Sequence, residues 1–330
     1  MSSKFLDLPA LRLWLQLAAL AGASLLASCG GSQAEPFEPT RVLAFGDELS
    51  VLDDALTPGN GRKYSINAFK QVTVGGVTTD DPTTLDCTRS PLWIQTVATR
   101  FGLAFDRCLG SATVASGQVL AQVGHKVADL PAQIAAVQGD ALGEKDLALV
   151  MIGLNDILEL YARYPATSRD DLLDEARARG ISLGEQINQL AQSGPAVVLL
   201  TVPDISLSPF ALAQDASAGD TTRSALIRDL VATFNDRTSV TLINDGRLIG
   251  LVYGDLEIQK MVKNLSSYNL TNGDDAACKA EAVLPDCTTA TLVNGATADT
   301  WLWADAWRLS PAAQSRLGEL ADSRARSNPF

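Results

Sequence analysis

The sequence predicts an α/β fold in which helices cover both faces of a central parallel sheet, giving a three-layer sandwich. Its 330 residues are 46% hydrophobic and 19% charged, enough apolar material for a large core and too much for a disordered chain. Short apolar runs alternate with segments of helical periodicity. That alternation is typical of parallel sheets whose strands are buried on both faces.

Three apolar runs are predicted as buried strands, because each is short and stops at a turn residue. They are Val42–Phe45 before Gly46, Leu147–Ile152 before Gly153, and Ala196–Val202 before Pro203. A fourth and weaker run is Val240–Ile243. Because ligands of such folds bind at the carboxyl ends of the strands, we expect the chemistry in the turns that follow these runs.

Helical periodicity fills much of the chain between the predicted strands. The predicted helices are Pro91–Phe101, Val127–Val137, Asp156–Tyr161, Asp170–Gln192 and Thr222–Asp236. Two segments rich in Gly, Thr, Asp and Ser, Gly59–Asp86 and Gln214–Thr221, are predicted as loops. The second could lie over the strand ends as a flap or be a passive solvated loop.

Charge and composition exclude several classes of function. The chain has 26 Lys and Arg against 38 Asp and Glu, a net charge of -12, so nucleic acid is a poor partner. It has one histidine, His125, which excludes a His-rich metal site. Asp274 and Asp275 lack the spacing of a calcium loop. We therefore predict neither a metal nor a cofactor.

Residues 1–28 are predicted to be an export signal, with Lys4 and Arg12 before an apolar run that is too short to span a bilayer. The segment Leu26–Cys29 resembles the lipobox of bacterial lipoproteins. This resemblance implies a mature chain that begins at a lipid-bearing Cys29 and lies in the cell envelope, at the outer membrane. An ordinary cleaved signal is the alternative. Residues 29–40 are then an anchor and tether, and 41–330 a single domain.

Export favours disulfides, and four cysteines remain once Cys29 carries the lipid. Their grouping favours Cys87 with Cys108 and Cys278 with Cys287, although three pairings are formally possible.

Four short motifs occur in the order found in one family of hydrolases. They are Ala44–Ser50 (AFGDELS), Leu109–Ala112 (LGSA), Gly153–Asp156 (GLND) and Asp305–Arg308 (DAWR). Together they resemble the SGNH, or GDSL, family of ester hydrolases, and the resemblance runs from about Arg41 to Leu320. It implies a flavodoxin-like sheet. It also implies a serine nucleophile, an oxyanion hole made with Gly110 and Asn155, and a D-x-x-H pair.

Two positions depart from the family pattern. Glu48 stands where the family has its serine, and Arg308 stands where it has its histidine, while Asp305 matches. A carboxylate has no hydroxyl to acylate and would repel an oxyanion. A guanidinium stays protonated and cannot act as a general base. We therefore hypothesise that Glu48, Arg308 and Asp305 form an ion-pair network, which requires Glu48 and Arg308 to lie within about 5 Å.

Three alternatives could restore hydrolysis: Ser50 as nucleophile, His125 as base, or Glu48 as general base on water with Gly110 and Asn155 polarising a carbonyl. Trp303 or Trp307 could line a pocket for an acyl chain or sugar ring. The sequence favours a non-hydrolytic, SGNH-like lipoprotein that binds an envelope ligand or partner. The second hypothesis is an atypical esterase or lipase acting on lipid, acylated glycan or polyester.

Overall fold

A five-stranded parallel sheet lies at the centre of the computed structural model, which describes residues 36–53 and 61–330. The strands are β1 (Arg41–Gly46), β2 (Leu52–Asp53), β3 (Arg62–Lys63), β4 (Phe69–Val74), β5 (Val77–Leu85), β6 (Gly117–Val119), β7 (Asp146–Met151), β8 (Ala196–Leu200), β9 (Ile249–Val252), β10 (Asn272–Ala276) and β11 (Trp301–Trp303). The central sheet has the order β6-β1-β7-β8-β9, and every neighbouring pair is parallel. This is the flavodoxin-like order 2-1-3-4-5, so the predicted fold class is confirmed.

Helices flank this sheet. They are α1 (Trp93–Arg100), α2 (Leu130–Ala135), α3 (Leu154–Ala162), α4 (Arg169–Gln192), α5 (Pro209–Ala218), α6 (Thr222–Thr241), α7 (Gly254–Lys263) and α8 (Pro311–Ser327). One helical layer contains α4 packed on α6, and the other contains α1 packed on α8. Every residue of β7 and β8 is buried because both faces of the sheet are covered.

The first three predicted strands correspond to β1, β7 and β8, but the fourth prediction is wrong. Val240 and Thr241 are the last residues of helix α6. The strand that follows β8 in the central sheet is instead β9. Gly250 interrupts the apolar run of β9 and conceals it. A Cβ at Gly250 would lie 2.7 Å from Arg324 Cγ, so glycine is needed where α8 crosses the strand. Strand β6 has only three residues and was too short to be predicted.

The five predicted helices are present, four as α-helices within a few residues of the predicted bounds and one as a 3₁₀ turn leading into α2. The loop prediction for Gln214–Thr221 is wrong in its first part, because Gln214–Ala218 is the last turn and a half of α5 and ends at the left-handed Gly219. The prediction for Gly59–Asp86 is also wrong. It is rich in Thr and Val, which favour strands, and β4 and β5 pair there as an antiparallel hairpin.

Among the described residues, packing against the domain extends to Phe37, ahead of Arg41. Phe37, assigned to the tether, packs its ring against Phe101 and Phe330 with centroid distances of 6.3 and 5.3 Å. The hydrophobic effect therefore draws this end of the tether onto the domain. The export signal, Cys29 and the tether up to residue 35 lie outside the described residues.

The favoured disulfide pairing is confirmed. Cys87 is bonded to Cys108, and Cys278 to Cys287. The first bridge ties the segment after β5 to the segment before β6, and the second closes a short loop after β10. Within residues 36–53 and 61–330, no helix has the length and apolarity that a bilayer span requires.

Candidate functional site

The carboxyl end of β1 carries two adjacent acids in a tight turn. Asp47 caps the 3₁₀ turn Glu48–Ser50, accepting a hydrogen bond from Leu49 N at 3.2 Å, and its other oxygen accepts one from Leu154 N at 3.2 Å. Burial and the neighbouring Glu48 carboxylate raise the pKa of Asp47 well above its usual range, although backbone N–H groups partly oppose this. Asp47 thus joins the end of β1 to the start of α3.

The Glu48 side chain is 2% exposed and is surrounded by hydrogen-bond donors. Its Oε2 atom accepts from Asn155 Nδ2 at 2.7 Å and from the backbone N–H of Gly124 at 3.2 Å. Its Oε1 atom accepts from Arg308 Nη2 at 3.3 Å. Buried carboxylates are stable only when paired in this way.

Arg308 bridges two carboxylates. Besides Glu48, it donates from Nη1 to Asp305 Oδ2 at 2.5 Å, and its side chain is 16% exposed. Asp305 Oδ1 accepts from the backbone N–H groups of Trp307 and Arg308, which fixes the turn after β11. The hypothesised ion-pair network is therefore present, and its Glu48–Arg308 distance lies inside the 5 Å criterion.

The turn that supplies Gly124 follows β6 and is held by side chains from the helices. Gln133 accepts from Gly46 N at 2.8 Å and donates to Gly46 O at 2.8 Å, which identifies its Nε2 as the amino group. The same Nε2 lies 2.9 Å from His125 Nδ1, so Nδ1 accepts and the ring proton is on Nε2. Asn155 Nδ2 also donates to His125 O at 3.1 Å.

The structure brings together Glu48, Asn155, Arg308 and Asp305, but not Gly110. Gly110 precedes β6, and a Cβ there would meet Thr88 Cγ2 at 2.8 Å, beside the Cys87–Cys108 disulfide. The donor beside Asn155 is Gly124, because the parallel pairing of β6 with β1 brings the turn after β6 to the carboxyl end of the sheet. Sequence reasoning therefore missed Gly124, and the signal that could have found it is the Gly124–His125 pair in the turn after β6.

Three other predicted residues have structural roles. Ser50 is buried, and its hydroxyl accepts from Trp93 Nε1 at 3.0 Å. Trp303 is fully buried and donates to Gly273 O, so it lines no pocket. Trp307 is the tryptophan that borders the ion-pair network. Its ring lies 5.2 Å from the Arg308 guanidinium carbon and 5.5 Å from the ring of Phe210.

Two large cavities lie away from this cluster. One of about 1080 Å³ adjoins the Cys87–Cys108 disulfide and includes Gly110, and one of about 900 Å³ lies between α7 and α8. Neither is lined by Glu48, Asn155 or Arg308. In the described part of the chain, no group of three or more His, Cys, Asp or Glu residues is arranged to hold a metal ion.

No protein-family description and no curated protein matches this sequence. Three solved structures of an acetyl xylan esterase from Geobacillus stearothermophilus resemble it in structure. A tryptophan-to-isoleucine variant is 16% identical with a TM-score of 0.39, covering 87% of this chain and 94% of that one. The enzyme without a named substitution is 15% identical with a TM-score of 0.40, covering 88% and 96%. A second such variant, described as an acetyl-xylooligosaccharide esterase, is 16% identical with a TM-score of 0.40 and the same coverage.

Proposed function

We propose that this protein is a non-hydrolytic relative of the SGNH ester hydrolases, in which an internal ion pair fills the former catalytic centre. The observation that carries the proposal is the position of Glu48 Oε2 between the donors of Gly124 and Asn155. Such converging N–H groups stabilise a developing oxyanion when they are free. Here they already bind a carboxylate of the chain itself.

The charges of the cluster support the same proposal. A substrate carbonyl that entered the hole would build up negative charge beside the Glu48 carboxylate, and like charges at this distance repel strongly in a buried site. Arg308 donates to Glu48 and Asp305 and has no lone pair with which to accept a proton. Glu48 therefore offers no nucleophilic hydroxyl, and Arg308 offers no base that could activate one.

We further propose that the protein binds an envelope ligand or partner and is anchored by a lipid on Cys29. The proposed ligand is a lipid, an ester or a glycan. Its acyl chain or sugar ring would pack on the aromatic surface of Trp307 beside the ion pair. The net charge of -12 argues against nucleic acid as the partner.

Fluorogenic acetyl and butyryl esters offered to the purified protein test the proposal. We expect the unsubstituted chain to give only the background rate. The double variant Glu48→Ser with Arg308→His should gain turnover, because it restores a hydroxyl and a base next to the donors of the hole. The matched control, Glu48→Ser with Arg308→Lys, should stay at background because lysine is protonated near neutral pH.

Ester hydrolysis by the unsubstituted chain would instead assign it an enzymatic function. If the unsubstituted chain hydrolyses the esters and Glu48→Ala removes that activity, the chain is an ester hydrolase in which Glu48 acts as a general base on water. Adding Asn155→Ala to the active double variant should lower its rate by about 10²- to 10³-fold if the amide belongs to the hole.

A further inference from the structure

A two-stranded hairpin, β4 with β5, is separate from the central sheet. It closes at Gly75 and Gly76, whose φ angles of 60° and 83° give the primed turn that suits a two-residue hairpin loop. Within the described residues, β4 and β5 pair only with each other. A ribbon of two strands is marginally stable by itself, so any further pairing or packing would stabilise it.

One face of this ribbon carries three valines that the described residues leave exposed. Val72 and Val74 alternate along β4, and Val77 lies opposite Val74 in the register. These three side chains are 36%, 76% and 64% exposed. The other face is polar, with the hydroxyls of Thr73 and Thr78 in a 2.9 Å hydrogen bond.

The two outer edges of the ribbon are protected unequally. Val74 and Val77 flank a two-residue turn and therefore form a hydrogen-bonded pair. Hydrogen-bonded and non-hydrogen-bonded pairs alternate along an antiparallel ribbon, so the N–H and C=O groups of Gln71 and Thr73 point away from β5. The outer edge of β5 carries Asp80, Asp81 and Pro82, residues that block strand addition. The edge of β4 has a single charge, Lys70, and no proline.

We propose that β4 pairs with β4 of a second copy of this chain, antiparallel about a twofold axis at Val72. In this register, Gln71 of each copy lies opposite Thr73 of the other, and these are the residues whose N–H and C=O groups face outward. Lys70 lies opposite Val74, so no like charges meet across the interface. A twofold interface must be self-complementary, and this strand satisfies that condition.

The pairing would also extend the apolar face. Val72, Val74 and Val77 of both copies would form one continuous strip on a four-stranded sheet. Because only one six-residue strand of each copy takes part, we expect a weak, concentration-dependent dimer. The interface does not involve the Glu48 cluster and is independent of the proposed loss of hydrolysis.

Cross-linking of the full chain tests the register. Two cysteines at position 72 would face each other as a non-hydrogen-bonded pair with Cα atoms about 4.5 Å apart, a distance that a disulfide spans. We expect Val72→Cys to form a covalent dimer under mild oxidation several-fold faster than Thr79→Cys, which lies on the same face but on β5. The unsubstituted chain measures the background from Cys29. Equal rates for the two variants would overturn the proposal.

Sedimentation of the full chain, in one detergent and over a range of concentrations, provides a second and independent test. Thr73→Pro and Thr78→Pro each remove one outward N–H group and the Thr73–Thr78 hydrogen bond, so they are matched in their effect on the ribbon. We expect the mass of the unsubstituted chain and of Thr78→Pro to rise with concentration, and Thr73→Pro to stay monomeric. A monomer at every concentration up to about 1 mM, or equal dimerisation of both variants, would refute the proposal.

Discussion

The Glu48 and Arg308 side chains depend on each other for burial. The two side chains are 2% and 16% exposed, and Glu48 Oε1 lies 3.3 Å from Arg308 Nη2. Removal of water from a charge is costly, and the partner offsets that cost only while both side chains are present. Removing either partner should therefore change the free energy of unfolding of the protein.

We predict that Arg308→Met lowers the free energy of unfolding by about 3–5 kcal/mol, because it leaves the Glu48 carboxylate buried without its cation. Adding Glu48→Gln should recover most of this loss, since an uncharged amide can still accept from Gly124 and Asn155. Urea unfolding at neutral pH measures both variants. Arg247→Met, which breaks an exposed pair with Asp245, is the control and should change stability very little. No recovery in the double variant would contradict this account of the cluster.

Lys63 is a second buried charge, and it should make stability depend on pH. Its side chain is fully buried under the Cys87–Cys108 disulfide, where Nζ donates to the carbonyls of Cys87 and Arg89. Burial lowers the pKa of Lys63 to about 7 from 10.5. Between these values the unfolded chain binds a proton that the folded chain does not, so stability rises with pH.

We predict that the free energy of unfolding increases from pH 7.5 to pH 9.5 by up to about 1.4 kcal/mol per pH unit from Lys63 alone. Urea unfolding at several pH values should show this slope in the unsubstituted chain and in Lys70→Met, whose lysine is exposed. In Lys63→Met the slope should be smaller. Identical slopes in all three proteins would show that Lys63 does not carry the effect.

At the scale of elements, the approach of α4 to α6 depends on glycine. A Cβ at Gly180 would lie 2.4 Å from the backbone oxygen of Phe234, and one at Gly184 would lie 2.6 Å from Thr241 Cβ. Both contacts are too short for a real side chain, and the first is against backbone, which cannot rotate away. These two glycines, one turn apart, therefore set the distance between the helices.

We predict that Gly180→Ala destabilises the protein by about 1–3 kcal/mol despite the higher helix propensity of alanine, because the helices must move apart. The change should appear as a lower thermal midpoint. Gly143→Ala is the control, because its Cβ would have no neighbour within 4 Å, and it should leave the midpoint almost unchanged. A midpoint that rises in Gly180→Ala would mean that helix propensity outweighs the contact.

At the scale of the whole molecule, membrane attachment would rest on the lipid alone. The chain is acidic overall, with a net charge of -12, and acidic proteins are not drawn to anionic lipid headgroups. A lipid on Cys29 would supply attachment without any basic patch.

We predict that bacteria expressing the full chain incorporate labelled fatty acid into it and that Cys29→Ser abolishes the label. Ser32→Ala, three residues further on, should retain it. Label on the Cys29→Ser variant, or a mature amino terminus other than Cys29, would support the ordinary signal instead.

The sequence by itself determined the parts that depend on local pattern. Apolar runs and helical periods are local properties, and they identified β1, β7, β8 and the two longest helices, α4 and α6, but not α8. The resemblance of four motifs to the SGNH pattern singled out Glu48, Asn155, Asp305 and Arg308, and residue chemistry then predicted the ion pairing of Arg308 with Glu48 and Asp305.

Only the tertiary structure decided which glycine stands beside Asn155 and which run forms the last strand of the sheet. Gly124 rather than Gly110 faces Glu48 because β6 pairs with β1, a contact between segments far apart in the chain. Likewise, β9 is a strand although Gly250 interrupts its apolar run, because it pairs in parallel with β8, and Arg324 of α8 packs where a side chain at position 250 would stand. Such choices depend on neighbours from distant segments, and the spacing of residues along the chain carries no record of them.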